Sequence, residues 1–346
     1  MSGSRVRLPA SALVGLLVVG CGMAEPVRTG GPVAVASAPT ATAGHSSPAR
    51  PSLPTLGGTW TRGPAMPTQR GEVAAAVLDG RLYVAGGFGL PMRSQSAAFE
   101  AYDPGSGGWR ELAPLPEARD HSALTAIGAR LYLSGGNAEG FVRRANLWVY
   151  DPATDHWSAA APMPEPRAAH AAVAVGGRLY VLGGVIPSQT QRAPTWRYDP
   201  ASGEWDRDLA PLPTYREHVA AVGLDDGTIL VIGGRASTDL AAVEKYDPAT
   251  DTWTPLPPLP TARGGLTAGL LDGQVHVVGG ESIDSPGVFP QHEVLDLVTL
   301  TWAEAPPLDR GRHGLGSGVI DGRWYVAAGG PNPELSVSDR LDIFTP

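Results

Sequence analysis

Residues 150–184 read YDPATDHWSAAAPMPEPRAAHAAVAVGGRLYVLGG, and variants of this stretch fill almost all of the chain after residue 57. Self-similarity at a fixed period of 20–50 residues is the signature of a repeat architecture. The tryptophan of this stretch recurs every 48 or 49 residues, at Trp60, Trp109, Trp157, Trp205, Trp253 and Trp302. The sequence therefore predicts six copies of one structural unit.

Three further features keep the same period. An arginine follows each tryptophan after ten or eleven residues, at Arg70, Arg119, Arg167, Arg216, Arg263 and Arg312. A glycine pair recurs at Gly86-Gly87, Gly135-Gly136, Gly183-Gly184, Gly233-Gly234 and Gly279-Gly280, and degenerates to Ala328-Gly329 in the sixth copy. A Tyr-Asp-Pro triplet begins at Tyr102, Tyr150, Tyr198 and Tyr246, and Leu295-Asp296 and Leu341-Asp342 hold the fifth and sixth positions.

This combination of a glycine pair, a spaced Tyr and Trp, and an Arg in the next turn resembles the kelch repeat over residues 58–346. The resemblance implies an all-β protein, a six-bladed kelch β-propeller in which each blade is a sheet of four short antiparallel strands. One such sheet buries too little surface by itself, so the blades stack radially. The 289 residues from 58 to 346 correspond to six periods of 48, which favours six blades.

The phase of the repeats predicts how the ring closes. The chain enters the first copy with a fourth strand at residues 58–62 and ends after a third strand at about residues 337–344. We therefore expect the last blade to be completed by the N-terminal strand, which removes the open edges at which the ring would separate. Within a copy, residues 168–175 and 178–184 are the expected first and second strands, joined by a two-residue turn at Gly176-Gly177.

Composition limits the function classes. The chain has 346 residues with 45 Gly and 34 Pro, which is typical of short strands joined by turns. Its net charge is −8, so it offers no basic stripe for a phosphate backbone, and a nucleic-acid partner is not expected. Cys21 is the only cysteine, which excludes an intramolecular disulfide and a cysteine metal site.

Residues 1–21 have the layout of an export signal. Arg5 and Arg7 precede an apolar run at residues 8–19, which is too short to span a bilayer as a helix. The tetrapeptide Val18-Val19-Gly20-Cys21 resembles the bacterial lipobox, and the resemblance implies lipidation of Cys21. An accidental or buried cysteine is the structural alternative. The expected location is the bacterial cell envelope, on the periplasmic or cell-surface side, with a lipid anchor in the membrane.

Residues 22–57 are rich in Pro, Ala, Ser and Thr and contain almost no large apolar side chains. Such a segment cannot bury enough surface to fold, so we expect a disordered tether between the anchor and the propeller. The propeller itself is expected at residues 58–346, as a monomer.

Candidate binding residues lie where the repeats differ from one another. In kelch propellers the ligand face is usually formed by the turns that enter the first strands and by the loops after the glycine pairs. The entering turns contribute Glu72, Asp120, His121, His170, Glu217, His218 and His313. The loops contribute Arg93, Asn137, Arg143, Arg144, Arg192, Arg235 and Glu281. Since function is grafted onto repeated scaffolds through variable loops, we predict ligand binding here.

Residues that recur in every copy are interpreted as structural. The six repeated arginines are expected to bond turn carbonyls. The histidines of the entering turns follow their arginines at unequal offsets of +2, +3, +2 and +1, which favours polar rim residues over a metal site. No metal and no cofactor are expected. His276 replaces a strand tyrosine and is interpreted as a packing residue.

Two function classes remain beside a purely structural surface scaffold that binds no ligand. The first is a binding or scaffold protein that recognises a protein or a glycan through its loop face. The second is a carbohydrate-active enzyme, because the chain is also similar to exported six-bladed kelch proteins that act as sialic-acid mutarotases. The resemblance implies Glu217, His218 and Glu281 as candidates for the catalytic acid or base. An arginine would then bind the substrate carboxylate. Galactose oxidase chemistry is excluded because it needs a crosslinked cysteine, and the E-x-x-x-D-x-x-x-H pattern of plant specifier proteins does not occur.

Overall fold

Six sheets of four main strands each form the fold, as the repeat predicts. The structure is a computed structural model, and it describes residues 52–89, 94–187 and 193–346. Within these residues the one helical segment is a single 3-10 turn at Glu139–Phe141. Residues 51–346 make up one compact unit. The predicted all-β six-bladed propeller is therefore confirmed.

Five blades take their four strands from consecutive segments. Blade one contains β2 (Ala74–Leu78), β3 (Arg81–Ala85), β6 (Phe99–Asp103) and β7 (Gly108–Glu111), with a small ribbon of β4 (Phe88–Gly89) and β5 (Ser94–Gln95). Blade two contains β8 (Ala123–Ile127), β9 (Arg130–Ser134), β12 (Leu147–Asp151) and β13 (His156–Ala160), with a ribbon of β10 (Asn137–Ala138) and β11 (Val142–Arg143). Blade three contains β14 (Ala171–Val175), β15 (Arg178–Leu182), β16 (Ala193–Asp199) and β17 (Glu204–Leu212).

Blade four contains β18 (Ala220–Gly223), β19 (Ile229–Ile232), β20 (Val243–Asp247) and β21 (Thr252–Leu256). Blade five contains β22 (Gly264–Leu271), β23 (Gln274–Ser282), β25 (His292–Asp296) and β26 (Thr301–Ala305), and β24 (Gly287–Val288) pairs with the end of β23.

The sixth blade joins the two ends of the repeat region. It contains β27 (Gly316–Ile320), β28 (Arg323–Ala327), β29 (Leu341–Thr345) and, at its outer edge, β1 (Thr59–Arg62). Strand β1 pairs antiparallel with β29, with Trp60 opposite Phe344. Closure of the last blade by the N-terminal strand is confirmed.

The chain is ordered against the propeller before β1 begins. The Leu56 amide donates to Glu304 O at 2.7 Å, and the Glu304 amide donates to Pro54 O at 2.8 Å, so this segment extends the edge of blade five. Leu53 packs against the core shared by blades four and five. The predicted tether, residues 22–57, is therefore too long at its C-terminal end. Its last residues are held because they carry two leucines that the adjacent blades cover.

The six repeated arginines are fully buried and tie each turn to a glycine pair. Arg70, Arg216 and Arg263, for example, donate to the carbonyls of Gly86, Gly233 and Gly279 at 2.7–2.8 Å. Arg216 and Arg263 also pair with the carboxylates of Glu244 and Glu293 on the third strand of their blades. The predicted structural role of these arginines is confirmed by these contacts, since each links the turn into one blade with the strand end of that blade.

The repeated tryptophans connect neighbouring blades. Each indole Nε1–H donates to a backbone carbonyl in or just after the outer strand of the preceding blade, for instance from Trp253 to Ala210 O at 2.9 Å and from Trp60 to Pro306 O at 2.7 Å. Tyr246 packs beside Trp253, with 4.9 Å between ring centroids. The bulky rings thus fill the wide outer gaps, while the first strands near the centre are rich in Ala and Gly.

The predicted export signal (1–21), its lipidation site Cys21 and most of the predicted tether lie outside the described residues. In the part of the chain that the structure describes, no helix is long and apolar enough to cross a membrane.

Candidate functional site

The turns that enter the six first strands are bonded to one another around the centre of the ring. The residue two positions after each repeated arginine is Glu72, His121, Ala169, His218, Gly265 or Gly314 in blades one to six. In blades two to six, the amide of this residue donates a hydrogen bond to the carbonyl of the equivalent residue in the preceding blade. The five N···O distances are 2.9–3.3 Å. The Val73 amide closes the circle on Gly314 O at 3.3 Å. The six turns therefore form a backbone ring at the mouth of the central channel.

The geometry of this ring requires a left-handed backbone. All six residues have φ between +50° and +67°, a region where glycine is the least strained residue. Blades five and six do use glycine there. Blades one, two and four instead carry Glu72, His121 and His218, whose side chains meet at the centre.

Each of the two central histidines is oriented by the acid that precedes it. His121 Nδ1 bonds Asp120 Oδ1 at 2.5 Å, and His218 Nδ1 bonds a carboxylate oxygen of Glu217. Because a carboxylate only accepts, each ring donates from Nδ1 and turns Nε2 toward the centre. The two Nε2 atoms lie 3.0 Å apart, and His121 Nε2 lies 3.4 Å from Glu72 Oε2.

Asp120 is itself fixed from two sides. Asn137 Nδ2 and Gln95 Nε2 each donate to its carboxylate at 2.8 Å. The close approach of the two chain segments depends on Gly136, because a Cβ there would lie 2.6 Å from Asp120 O. The glycine pair of blade two thus brings the loop amide of Asn137 against the acid that orients His121.

Glu72 is ionised. Burial opposes its ionisation, but the surrounding histidines, His121 first, outweigh burial and hold the pKa of Glu72 well below its usual range. His313 Nδ1 bonds Glu72 Oε1 at 3.0 Å, while His313 Nε2 lies 3.0 Å from Asn332 O. Burial lowers the pKa of His313, but Glu72 and Glu281 outweigh it and raise that pKa. His313 therefore acts as a donor on both sides.

Arg235 bridges the remaining acids. Its Nε donates to Glu217 Oε1 at 2.9 Å, its Nη1 donates to Glu281 Oε1 at 2.7 Å, and its Nη2 lies 3.0 Å from His218 Nε2. Burial opposes ionisation of Glu217, but His218 and Arg235 outweigh it and lower the pKa of Glu217 to about 2. Glu217 is therefore a carboxylate at neutral pH.

A cavity of about 550 Å³ lies above this network on the loop face. Its floor is charged and its walls are apolar: Phe88, Phe141, Val185, Ile283, Pro286, Pro333 and Leu335. At its rim Phe141 is 48% exposed and Ile283 is 41% exposed. The cavity thus offers apolar contacts near its entrance and charged groups at its base.

The structure brings most of the predicted ligand-binding residues to this cavity. Eight line it: Glu72, His121, Asn137, Arg143, Glu217, His218, Arg235 and Glu281. Asp120 and His313 are buried directly behind the lining residues, where they hold His121 and Glu72.

Arg144 and His170 do not line the cavity and are bonded elsewhere. Arg144 pairs with Glu117 at 2.8 Å. His170 is buried beside the ring and bonds Ser134 Oγ at 2.8 Å; burial lowers its pKa to about 3, so it is neutral. Arg192, like Arg93, lies outside the described residues.

The apolar walls were missed by the sequence reasoning, which looked for polar side chains. Phe88 follows a glycine pair directly, and Phe141, Ile283 and Leu335 lie in the same variable loops. Large apolar residues in loops that are otherwise polar were the available signal.

The unequal offsets of the histidines also hid a shared geometry. His121 and His218 both follow their arginines at +2, as Glu72 does, and only His170 and His313 differ. Because the +2 residues meet at the centre, the ligand atoms of Glu72, His121 and His218 all lie within 4.8 Å of one another. The spacing argument against a metal site therefore does not apply to these three residues.

Six blades, an N-terminal closing strand and a loop-face cavity define a β-propeller with a cavity at its channel mouth. The sequence profile of the KLHDC2/KLHL20/DRC7 Kelch-repeats domain matches residues 55–184, 115–280 and 169–343. Together these overlapping matches cover nearly all of the propeller. The chain belongs to the kelch-repeat family.

Similar proteins are known from animals and a fungus. Kelch-like protein 35 of Mus musculus is 30% identical over 222 residues, which are 64% of this chain and 29% of that protein. Kelch-like protein terF of Aspergillus terreus is 28% identical over 258 residues, 69% of this chain and 45% of that protein. The chain thus spans less than half of the length of either relative.

The solved structure of YjhT has the same fold. Its TM-score is 0.67 at 19% sequence identity, and the match covers 81% of this chain and 96% of that chain.

Proposed function

We propose that this chain is a lipid-anchored, extracytoplasmic kelch protein that binds a protein or glycan ligand in the loop-face cavity. Cys21 is the proposed anchor, and residues 22–51 are the proposed tether. The observation that supports the binding site best is the contrast within one cavity: an apolar rim that includes the exposed Phe141 surrounds a charged floor. Binding pockets combine apolar walls with a few placed polar groups.

The rim supports a ligand that is partly apolar. Phe141 is about half exposed and Ile283 is 41% exposed, and both line the cavity. Large apolar side chains grouped at the opening of a cavity mark an interaction site. A protein side chain, or the apolar face of a sugar ring, would contact this rim while its polar groups reach Arg235 and Glu281.

The test uses two exposed, β-branched aliphatic residues as a pair. Ile283 lines the cavity, whereas Val298 lies in the turn between β25 and β26, at the opposite end of the blade. The fragment 51–346 is screened by thermal melting against glycans and fractions of envelope extract. A ligand that raises the melting temperature of wild type should fail to do so with Ile283→Asp but should still do so with Val298→Asp. Equal responses of the two variants would place binding elsewhere and contradict the proposal.

A sugar mutarotase is the second candidate, and one observation favours it. Glu217, Arg235 and Glu281 are in direct contact at the base of the cavity, so a carboxylate base and a cationic group lie side by side. Opening a cyclic hemiacetal needs proton transfer from the anomeric hydroxyl and to the ring oxygen. Arg235 already bonds both acids, however, so a substrate carboxylate has to compete with them.

NMR of anomeric equilibration tests this candidate, with N-acetylneuraminate and a panel of aldoses. If the protein accelerates the reaction, Glu217→Gln and Glu281→Gln should each reduce the rate by at least about 100-fold, the contribution of a positioned acid or base. A protein that accelerates none of these sugars is not a mutarotase for them.

A further inference from the structure

Two histidine nitrogens point at one spot at the centre of the backbone ring. Asp120 and Glu217 accept from the Nδ1 atoms of His121 and His218, so the Nε2 atom of each ring carries a lone pair when that ring is neutral. These two Nε2 atoms lie only 3.0 Å apart. Two lone pairs that face each other at this distance repel. The contact is relieved by a proton between the rings, by the Arg235 Nη2 donor that lies 3.0 Å from His218 Nε2, or by a cation that binds both nitrogens.

The spacing of the three central groups fits one metal ion. Two ligand atoms that lie about 2.1 Å from a metal are about 3.0–3.4 Å apart at octahedral to tetrahedral angles. The Nε2 atoms of His121 and His218 are 3.0 Å apart, and His121 Nε2 is 3.4 Å from Glu72 Oε2. The third separation in the set is no more than 4.8 Å. Two imidazoles and one carboxylate suit Zn²⁺ and divalent iron and leave further coordination positions open.

The surrounding shell resembles that of known metal sites. Ligating histidines usually donate their second ring N–H to a carboxylate, which fixes the tautomer. Here Asp120 and Glu217 do so, and Asp120 is in turn held by Asn137. Glu72 is held on its other oxygen by His313. Each of the three central groups is therefore positioned from behind by a buried or half-buried partner.

Charge also favours a cation. Glu72, Asp120, Glu217 and Glu281 bring four carboxylates into one network, whereas Arg235 is the single arginine bonded into it among the described residues. Arg235 Nη2 is 3.0 Å from His218 Nε2 and would give up that bond to the metal. It would keep its bonds to Glu217 and Glu281, so it loses one partner of three.

The backbone gives an independent reason. Glu72, His121 and His218 have φ values of 53°, 50° and 53° at ring positions that blades five and six fill with glycine. A left-handed conformation costs a non-glycine residue free energy, and residues held in it cluster at functional sites, although Ala169 of blade three keeps it without a metal-binding side chain. Three of the six positions retain a metal-binding type of side chain, and these are the three that converge.

From this geometry we propose that Glu72, His121 and His218 bind one divalent transition-metal ion, with Zn²⁺ as the probe, and leave an open coordination position that faces the loop-face cavity. This goes beyond ligand binding at the cavity rim, because it needs no rim residue. Phe141 and Ile283 are not involved. A failure of either proposal therefore leaves the other standing.

The test measures metal bound to the full-length protein, purified in detergent without a polyhistidine tag and stripped with a chelator. After dialysis against Zn²⁺, mass spectrometry of the metal should find one equivalent, and calorimetry gives the dissociation constant. His121→Ala and His218→Ala should weaken binding by more than 100-fold, and Asp120→Asn by about 10–100-fold, the usual effect of an outer partner. The control is His156→Ala, which removes an exposed histidine far from the ring and should change nothing.

Wild-type protein that binds no equivalent of Zn²⁺ would overturn the proposal, and would leave a shared proton as the occupant of the gap. Unchanged binding in both histidine variants would also overturn it, because the metal would then lie elsewhere. Should a variant fail to fold, the X-ray absorption spectrum of zinc-loaded wild type decides. Two imidazole ligands at about 2.0–2.1 Å support the site, and fewer than two contradict it.

Discussion

Ala169 adopts the left-handed backbone conformation that the central ring requires, and it carries only a methyl side chain. It occupies the ring position of blade three with φ 54°, and no side-chain function accompanies this strained conformation. Its neighbour Ala168 is buried and is not among the residues with positive φ. The two alanines therefore separate the effect of backbone strain from the effect of removing a methyl group.

We expect Ala169→Gly to raise the free energy of unfolding by up to about 1 kcal/mol, because relief of left-handed strain exceeds the entropy that glycine adds to the unfolded chain. Ala168→Gly should lower it by about 0.5–1 kcal/mol. Urea unfolding of the two variants and wild type measures both changes. If both variants are destabilised alike, the ring position is not strained.

A second residue-scale prediction concerns two buried histidines in blade five. His276 Nδ1 lies 2.9 Å from His292 Nε2, and His292 Nδ1 lies 3.2 Å from Pro306 O. Burial lowers the pKa of His276 to about 4 and that of His292 to about 3. Both are neutral in the folded protein at pH 7, which agrees with the interpretation of His276 as a packing residue.

In the unfolded chain these histidines take up protons below about pH 6.5, whereas the folded protein does not until the pH is near their lowered pKa values. Stability is therefore complete above pH 6.5 and is lost as the pH falls toward 4, by on the order of 1.4 kcal/mol per pH unit for each histidine. His276→Leu copies Leu230 of blade four and should make this slope shallower in urea titrations between pH 6.5 and 4.5. The exposed His156→Leu is the control, and an equal slope for both variants would contradict the prediction.

At the scale of the element, the tryptophans test how tightly neighbouring blades are joined. Trp253 Nε1 donates to Ala210 O of the preceding blade at 2.9 Å, and the indole is half-buried against Tyr246. Trp253→Phe keeps most of the packing but removes the donor. We expect a loss of about 1 kcal/mol in the free energy of unfolding, the usual net worth of one hydrogen bond.

Trp109 makes the same bond to Pro64 O at 3.1 Å, three blades away from Trp253 around the ring. Since distant sites add independently, the double variant Trp109→Phe, Trp253→Phe should lose the sum of the single losses within about 0.5 kcal/mol. A much larger loss in the double variant would mean that the blade interfaces unfold as one coupled unit.

The sequence predicted the elements well because the scaffold repeats. Six tryptophans, six arginines and the glycine pairs mark the strand ends of each blade, and turn chemistry places the hairpins. It predicted the polar floor of the cavity for the same reason, since His121, Glu217, His218, Arg235 and Glu281 interrupt the repeat at equivalent turns and loops.

The meeting of Glu72, His121 and His218 could not be read from the sequence. These residues are separated by 49 and 97 positions, and they meet because six turns bond into one backbone ring that brings its +2 residues to the centre. The order of residues 53–56 was missed for a similar reason. Two leucines in a segment rich in proline and serine carry no periodic signal, and only the edge of blade five shows where they pack.

For the whole molecule, the decisive question is how the ring resists opening. Blade six is held by the pairing of β1 with β29, and blade five is extended by residues 54–56. The N-terminal segment thus contacts two adjacent blades. Three fragments separate these contributions: 51–346 contains both contacts, 58–346 keeps only β1, and 64–346 has neither.

We expect 58–346 to melt cooperatively but below 51–346. It loses the two backbone hydrogen bonds of residues 54–56 and the partial burial of Leu53 and Leu56, each of which is worth on the order of 1 kcal/mol.

The fragment 64–346 loses the whole outer strand of blade six, including Trp60 with its bond to Pro306 O and its contacts with Phe344 and Trp324. That leaves β29 as an open edge beside an uncovered aromatic cluster, so 64–346 should show no cooperative melt and should aggregate. Differential scanning calorimetry of the three fragments measures the series. Equal melting temperatures for 58–346 and 64–346 would show that five complete blades and a three-stranded sixth hold the ring without β1, and the closing strand would then have no role in stability.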